Sequence, residues 1–198
     1  MEISISDLTV SLGGKLVIDG LSLALSGRSV CIFGESGCGK TTLLNAIAGL
    51  AKPDGGSIRG VPARISYLFQ EDRLLPWLSA QENVEAVLPK EEKGAALHWL
   101  RRMGLQAADM EKRPAQLSGG MKRRVAIARA LAFGGELLLL DEPLQALDEE
   151  RRQDLIGLLK ENTQDKSMVL ITHDIEEARA LCETIIRVEG PPLRLSGN

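Results

Sequence analysis

Basic excess, disulfide spacing and long apolar runs are all missing from this 198-residue sequence. Against 27 Asp and Glu stand 24 Lys and Arg, a net charge of −3, so overall charge gives no reason to expect a nucleic-acid partner. Three cysteines, Cys31, Cys38 and Cys182, form an odd set without a spacing pattern, which excludes a disulfide framework and fits a reducing compartment. No apolar segment approaches the ~18 residues needed to span a bilayer. The opening Met-Glu-Ile-Ser carries neither a basic region nor an apolar core, so no signal peptide is expected and the chain reads as soluble and cytosolic. Internal repeats and low-complexity segments are also lacking. What remains is the composition of a globular protein, 44% hydrophobic and 26% charged, long enough for one domain with a sizeable core.

Against that background one segment stands out. Gly34–Thr42 (GESGCGKTT) follows the apolar run Val30–Phe33 and fits the pattern of a strand, a glycine-rich phosphate loop and a helix. Glycines 34, 37 and 39 allow a tight turn whose N–H groups point into one concavity, at the positive end of the following helix. Glu35, Ser36, Cys38 and Thr42 complete the loop. Lys40 is expected to reach the β- and γ-phosphates of a nucleoside triphosphate, and the Thr41 hydroxyl to hold Mg²⁺. With glycine at about 7% of average sequence, this spacing arises by chance in roughly one chain in a hundred.

Periodicity supplies the frame. Strands are expected over 2–10, 16–26, 29–33, 65–69, 137–141 and 168–172, with turns at Gly13-Gly14 and Pro53–Gly56. Helices are expected over 41–50, with Leu43, Leu44, Ile47 and Leu50 on one face, then from about Gly120 to Ala132, and over 149–161 and 175–182. Between Glu71 and Leu117 the pattern is helix and loop. There Ala96, Trp99, Leu100 and Met103 form a packing stripe, and His98 is expected to be exposed. The alternation predicts an α/β fold with a mainly parallel sheet, an N-terminal antiparallel portion and an inserted helical piece.

Further candidates sit where strands end. Leu137–Leu140 is a continuous apolar run, as in a strand buried on both faces, and it ends in Asp141-Glu142. Ligands gather outside the carboxyl ends of such strands, so Asp141 is expected to hold Mg²⁺ and Glu142 to act as general base on the attacking water. The alternative is two solvated turn carboxylates. Gln70 ends the strand 65–69 and could reach Mg²⁺ or that water, or be an ordinary loop amide. His173 follows the strand 168–172 and precedes Asp174–Glu177, a helix start with capping-box-like spacing. Asp148 reads as an N-cap. Ser118-Gly119-Gly120 precedes a helix. Alone it is an ordinary capped start; functionally it would be a second anion-binding terminus, for a phosphate supplied by another subunit. Lys122, Arg123, Arg124 and Arg129 read as a solvated basic face. Cys38, inside the phosphate loop, is expected to inhibit ATP hydrolysis when alkylated, with ATP protecting.

Taken in order, these segments resemble the ATP-binding subunit of an ABC transporter over nearly the whole chain. The P-loop 34–42, Gln70 of the Q-loop, the Leu117–Met121 signature, the Leu137–Glu142 Walker B segment, the Ala146–Asp148 D-loop and His173 of the H-loop fall in family order. The resemblance implies a single domain, core 1–70 and 119–198 with a helical subdomain 71–118, a P-loop NTPase core. It implies ATP and Mg²⁺ as ligands, with Glu142, His173 and Gln70 catalytic and Thr41, Gln70 and Asp141 on the metal. A second ATP-binding subunit, expected to be an identical copy, would supply Ser118, Gly119, Gly120 and Asp148 to its partner's nucleotide. It further implies an integral-membrane permease, docked near the Q-loop and helical subdomain, a substrate-binding protein, and a place at the cytoplasmic face of the cell membrane. Tyr67–Trp77 (YLFQEDRLLPW) and Met121 in the signature are similar to the nitrate, sulfonate and taurine importers. The chain departs from the family in having Leu12 where an aromatic usually stacks on adenine. No C-terminal regulatory domain is expected after the last strand region. The runner-up is a non-transport ABC ATPase of the cluster-assembly kind, and a third class is a small P-loop kinase.

Overall fold

The computed structural model describes residues 2–145, 147, 149–163 and 166–196. The first two strands, β1 (Glu2–Leu12) and β2 (Lys15–Ser26), form a hairpin through the Gly13-Gly14 turn. β3 (Ser29–Phe33) leads through the glycine loop into α1 (Lys40–Ile47), and β4 (Gly55–Arg59) returns to pair antiparallel with β1. β5 (Ile65–Leu68) precedes a helical stretch containing α2 (Ala80–Glu85), α3 (Ala95–Arg102) and α4 (Ala107–Met110). The chain then alternates through α5 (Gly119–Phe133), β6 (Leu137–Asp141), α6 (Glu149–Asn162), β7 (Ser167–Thr172), α7 (Ile175–Leu181), β8 (Thr184–Glu189) and β9 (Arg194–Leu195).

Two sheets result. The antiparallel one has the order β2-β1-β4, and the larger has the order β5-β6-β7-β3-β8-β9, parallel except for β9. The turn at Pro53–Gly56 runs into a strand, Gly55–Arg59, that closes the antiparallel sheet, and Thr184–Glu189, where periodicity predicts no strand, flanks β3. The first helix also stops at Ile47, and Leu50, expected on its apolar face, is 61% exposed. Gly49 follows the helix end and takes a positive φ that terminates it, so Leu50 never reaches the helical face.

The leucine run of β6 is buried on both faces, as its continuous apolarity demands. Leu137 and Leu139 pack with the antiparallel sheet and α1, among Ile3, Leu8, Ile18, Leu43 and Leu44. Leu138 and Leu140 face the other way, into a cluster with Leu100, Val125, Ile127 and Leu159. Ala96, Leu100 and Met103 of α3 join that second cluster beside α5, Trp99 packs half-buried at its margin, and His98 is exposed. The helical stretch therefore shares a core with the parallel sheet. Register does the rest: Leu68 pairs with Leu140, Asp141 with Ile171, and Phe33 with Thr172, so four adjacent parallel strands end at one edge.

Candidate active site

That edge gathers most of the candidate residues. The loop from β3 to α1 is built on close approaches that exclude side chains. A Cβ on Gly34 would lie 2.4 Å from the Val188 carbonyl of β8. Gly39, at φ 112°, is hemmed in by Val17 and Leu193. The loop folds around Lys40, which is 5% exposed and donates from Nζ to the carbonyls of Gly34 and Glu35, each at 2.7 Å. Ser36, Gly37, Gly39, Lys40, Thr41 and Thr42 line a cavity of about 230 Å³ whose opposite wall is Gln70, Asp141 and Glu142. Gly34, Glu35, Cys38 and His173 line the adjoining space on the far side of the loop. Cys38 is 1% exposed, with its sulfur 4.0 Å from Lys40 Nζ.

Asp141 ends β6 at 1% exposure, and neither carboxylate oxygen has a hydrogen-bond partner among the described residues. Burial pushes its pKa up. The Thr41 hydroxyl, which approaches without reaching hydrogen-bond geometry, opposes this, as do Arg123 and Lys40, while Glu142 adds to it. An orphaned buried carboxylate facing a threonine hydroxyl and a phosphate loop suits a hard divalent cation. Among the described residues no group of three or more His, Cys, Asp or Glu gathers that could hold a metal ion by itself.

Glu142 sits one residue on, 7% exposed, with a left-handed backbone of φ 48°. Its N–H donates to the Ile171 carbonyl at 3.0 Å, and both carboxylate oxygens lie 3.0 Å from Nδ1 of His173. Hydrogen bonding to Glu142, and then its charge, raise the pKa of His173. The segment around His173 is itself fastened: Thr172 Oγ1 donates to Glu177 at 2.5 Å and accepts from the Asp174 N–H at 3.0 Å. Arg152 of α6 binds Asp174 at 2.6 Å and also Glu177. Asp174 caps α7 by accepting from Glu176 N at 2.8 Å, but Glu177 does not return a capping-box bond, because Arg152 and Thr172 occupy its carboxylate.

Ser118 caps α5, accepting from Met121 N at 3.3 Å, and with Gly119 and Gly120 it lies outside the cavity. A Cβ on either glycine would meet nothing within 4 Å, so nothing among the described residues requires glycine there. Asp148 lies outside the described residues. Leu12, at the end of β1, is 50% exposed and borders the same surface hollow as Thr42.

The basic-face reading of α5 is wrong. Arg123 is 5% exposed, Arg129 donates to the carbonyls of Asp72 and Arg73 at 2.9 and 2.8 Å, and Arg124 donates to Met103 and Gly104. Loops distant in the sequence bring their carbonyls to this helix, and no spacing within 118–133 signals it. Arg152 is likewise invisible in the sequence, being one of several charges on α6.

Comparison with known proteins is consistent with this geometry. The protein-family model described as ABC transporter matches residues 18–145. The aliphatic sulfonates import ATP-binding protein SsuB 3 of Paraburkholderia xenovorans (strain LB400) is 44% identical over 192 residues, covering 94% of this chain and 76% of that protein. The taurine import ATP-binding protein TauB of Escherichia coli O157:H7 is 42% identical, covering 98% of this chain and 82% of that protein. The nitrate import ATP-binding protein NrtD of Synechococcus elongatus (strain ATCC 33912 / PCC 7942 / FACHB-805) is 38% identical, covering 93% and 74%. Among solved structures, a dimeric post-hydrolysis state of the ATP-binding cassette MJ0796 bound to ADP and Pi superposes with a TM-score of 0.87 at 31% identity, covering 98% of this chain and 97% of that one.

Proposed function

The chain belongs to the ABC transporter family, and we propose that it is the ATP-hydrolysing subunit of an importer that drives a separate membrane permease for a small solute of the sulfonate, taurine and nitrate class. The observation that carries the catalytic part is the meeting of the Lys40 loop, Asp141, Glu142 and His173 at one sheet edge. Loop N–H groups and Lys40 would hold the β- and γ-phosphates. Thr41, Asp141 and Gln70 would hold Mg²⁺, whose charge, when it is bound, offsets that of the phosphate oxygens. Glu142 takes a proton from the attacking water as the water oxygen bonds to the γ-phosphorus and the bond to the bridging oxygen breaks. His173 holds the Glu142 carboxylate in place and faces the departing phosphate.

Glycines 119 and 120 fit a role outside their own chain. A Cβ at either position would meet no neighbour among the described residues, so local packing does not account for the pair. Close approach by a phosphate bound to a second copy would account for it, with Ser118 donating to the same group and Asp148 contributing from the D-loop. A second copy is thus part of the working site, in keeping with the dimeric relative. Leu12 would offer adenine an aliphatic surface in place of a ring.

No helix among the described residues is long and apolar enough to cross a membrane, so attachment at the cytoplasmic face would run through the permease. A groove of about 490 Å³ lined by Tyr67, Phe69, Leu75, Val87 and Phe133, between the Gln70 loop and the helical stretch, suits a permease segment. A substrate-binding protein would choose the solute. Affinity purification of the tagged chain from gently solubilised host membranes tests the reading. A stoichiometric polytopic membrane protein is expected; soluble partners alone, with the chain absent from membranes, would contradict it and favour a non-transport ATPase.

A further inference from the structure

Arg123 is a buried cation surrounded by backbone. Nη1 donates to the carbonyls of Phe69 at 2.7 Å and Gln70 at 3.2 Å, and faces the Asp72 carboxylate at 3.5 Å. Nη2 donates to the carbonyls of Asp141 at 3.0 Å and Glu142 at 2.7 Å, and Nε to that of Pro143 at 3.4 Å. One side chain, on the helix that begins at Ser118, therefore grips the Gln70 turn and the Asp141–Pro143 turn together.

We propose that Arg123 is a positioning residue for ATP hydrolysis, fixing the backbone from which Glu142 and Gln70 project. The inference rests on the reading of Glu142 as the base. Glu142 occupies the left-handed region at φ 48°, a conformation that a side-chain-bearing residue keeps only where its surroundings over-determine it. Four contacts do so: its N–H on Ile171, its carboxylate on His173, and its carbonyl, which accepts from both Arg123 and the Gln145 N–H. Of the four, only that to Arg123 ties the turn to the Gln70 segment and to α5. The burial argues in the same direction. An apolar side chain would fill this position without the cost of desolvating a cation, but it would take one donor from each of the converging carbonyls. A lysine, a point charge with three donors, cannot span both turns as a planar fork does.

Steady-state hydrolysis by the assembly of this chain with its permease, for Arg123→Met and Arg123→Lys, each alone and in a Glu142→Gln background, tests the role. Arg123→Met is expected to lower kcat by about 10- to 100-fold, the scale of a small misplacement of a reacting group. KM for ATP should stay within about threefold, because the phosphate loop is untouched. Arg123→Lys should recover part of the loss. In the Glu142→Gln background Arg123→Met should cost clearly less than in the wild type, since the base it positions is already gone and only the part acting through Gln70 remains. Unchanged kcat, or an equal loss in both backgrounds, would overturn the proposal. If Arg123→Met does not fold, Arg123→Lys carries the same comparison. A Glu142→Gln variant that hydrolyses at the wild-type rate would instead overturn the assignment of the base.

Discussion

Nδ1 of His173 lies 3.0 Å from both carboxylate oxygens of Glu142, a forked contact between the ends of two adjacent parallel strands. The contact raises the histidine pKa, so it favours the protonated ring. Such a pair is fully formed below the ordinary histidine value and is lost as pH rises through the raised one.

Glu142→Gln removes the charge that holds that proton. The His173 titration midpoint, followed by NMR, should fall toward the ordinary value of about 6.5. A His173 midpoint indifferent to the substitution would mean that the contact does not form in solution.

The same substitution should separate binding from chemistry. General-base assistance contributes about 10²- to 10⁴-fold, and phosphate release should slow by that order. A fluorescent ATP analogue should bind within about threefold of the wild-type affinity, because Lys40 and its loop are unchanged.

Asp141 should trade stability for function. Its pKa is raised by burial, so its ionised form opposes folding. A carboxyl raised in the folded state carries no penalty below its unfolded value, about 3.9, and an increasing one as pH rises above it. Asp141→Asn should therefore melt at a higher temperature than the wild type at neutral pH, with the gap closing near pH 4, at about 2–4 °C per kcal/mol for a chain of this size. Mg²⁺ added to a non-hydrolysable ATP analogue should stabilise the wild type further and the variant much less, while the analogue alone acts on both through the Lys40 loop. Equal stabilisation of both would remove Asp141 from the metal.

Two glycines should respond in opposite directions. Gly56 lies at φ 80°, and a Cβ there would sit 2.4 Å from the carbonyl oxygens of Ser6 and Asp7. Gly56→Ala should cost more than about 2 kcal/mol through strain and displacement of β1. Gly157, within α6, has open space around it, and Gly157→Ala should gain about 0.5–1 kcal/mol. Chemical denaturation of both variants decides whether β4 closes the antiparallel sheet as described.

The α/β fold is legible because strand and helix periods alternate and because Leu137–Leu140 can only be a strand covered on both sides. Residues at strand ends are legible for the same reason: parallel strands deliver Phe33, Asp141 and Thr172 to one edge in whatever order they occur. β4 and β8 are harder to read. Two glycines dilute the first, and the second is recognisable only once β3 is there to pair with it. Arg123 is hidden more deeply. Lys122, Arg123 and Arg124 are chemically alike, and burial is decided by carbonyls that Phe69, Gln70 and Glu142 bring from elsewhere in the chain. Local sequence carries no trace of such acceptors. Glycines 119 and 120 present the converse case: the signature is plain, but its use lies outside the single chain.

The most direct test of the central claim is phosphate release from ATP by the assembly of this chain with its permease, comparing the wild type with Lys40→Ala and Glu142→Gln at saturating Mg²⁺. Sustained release by the wild type is predicted, with Lys40→Ala impaired through nucleotide binding and Glu142→Gln binding ATP but barely turning over. Wild-type rates in both variants would place hydrolysis elsewhere and contradict the account.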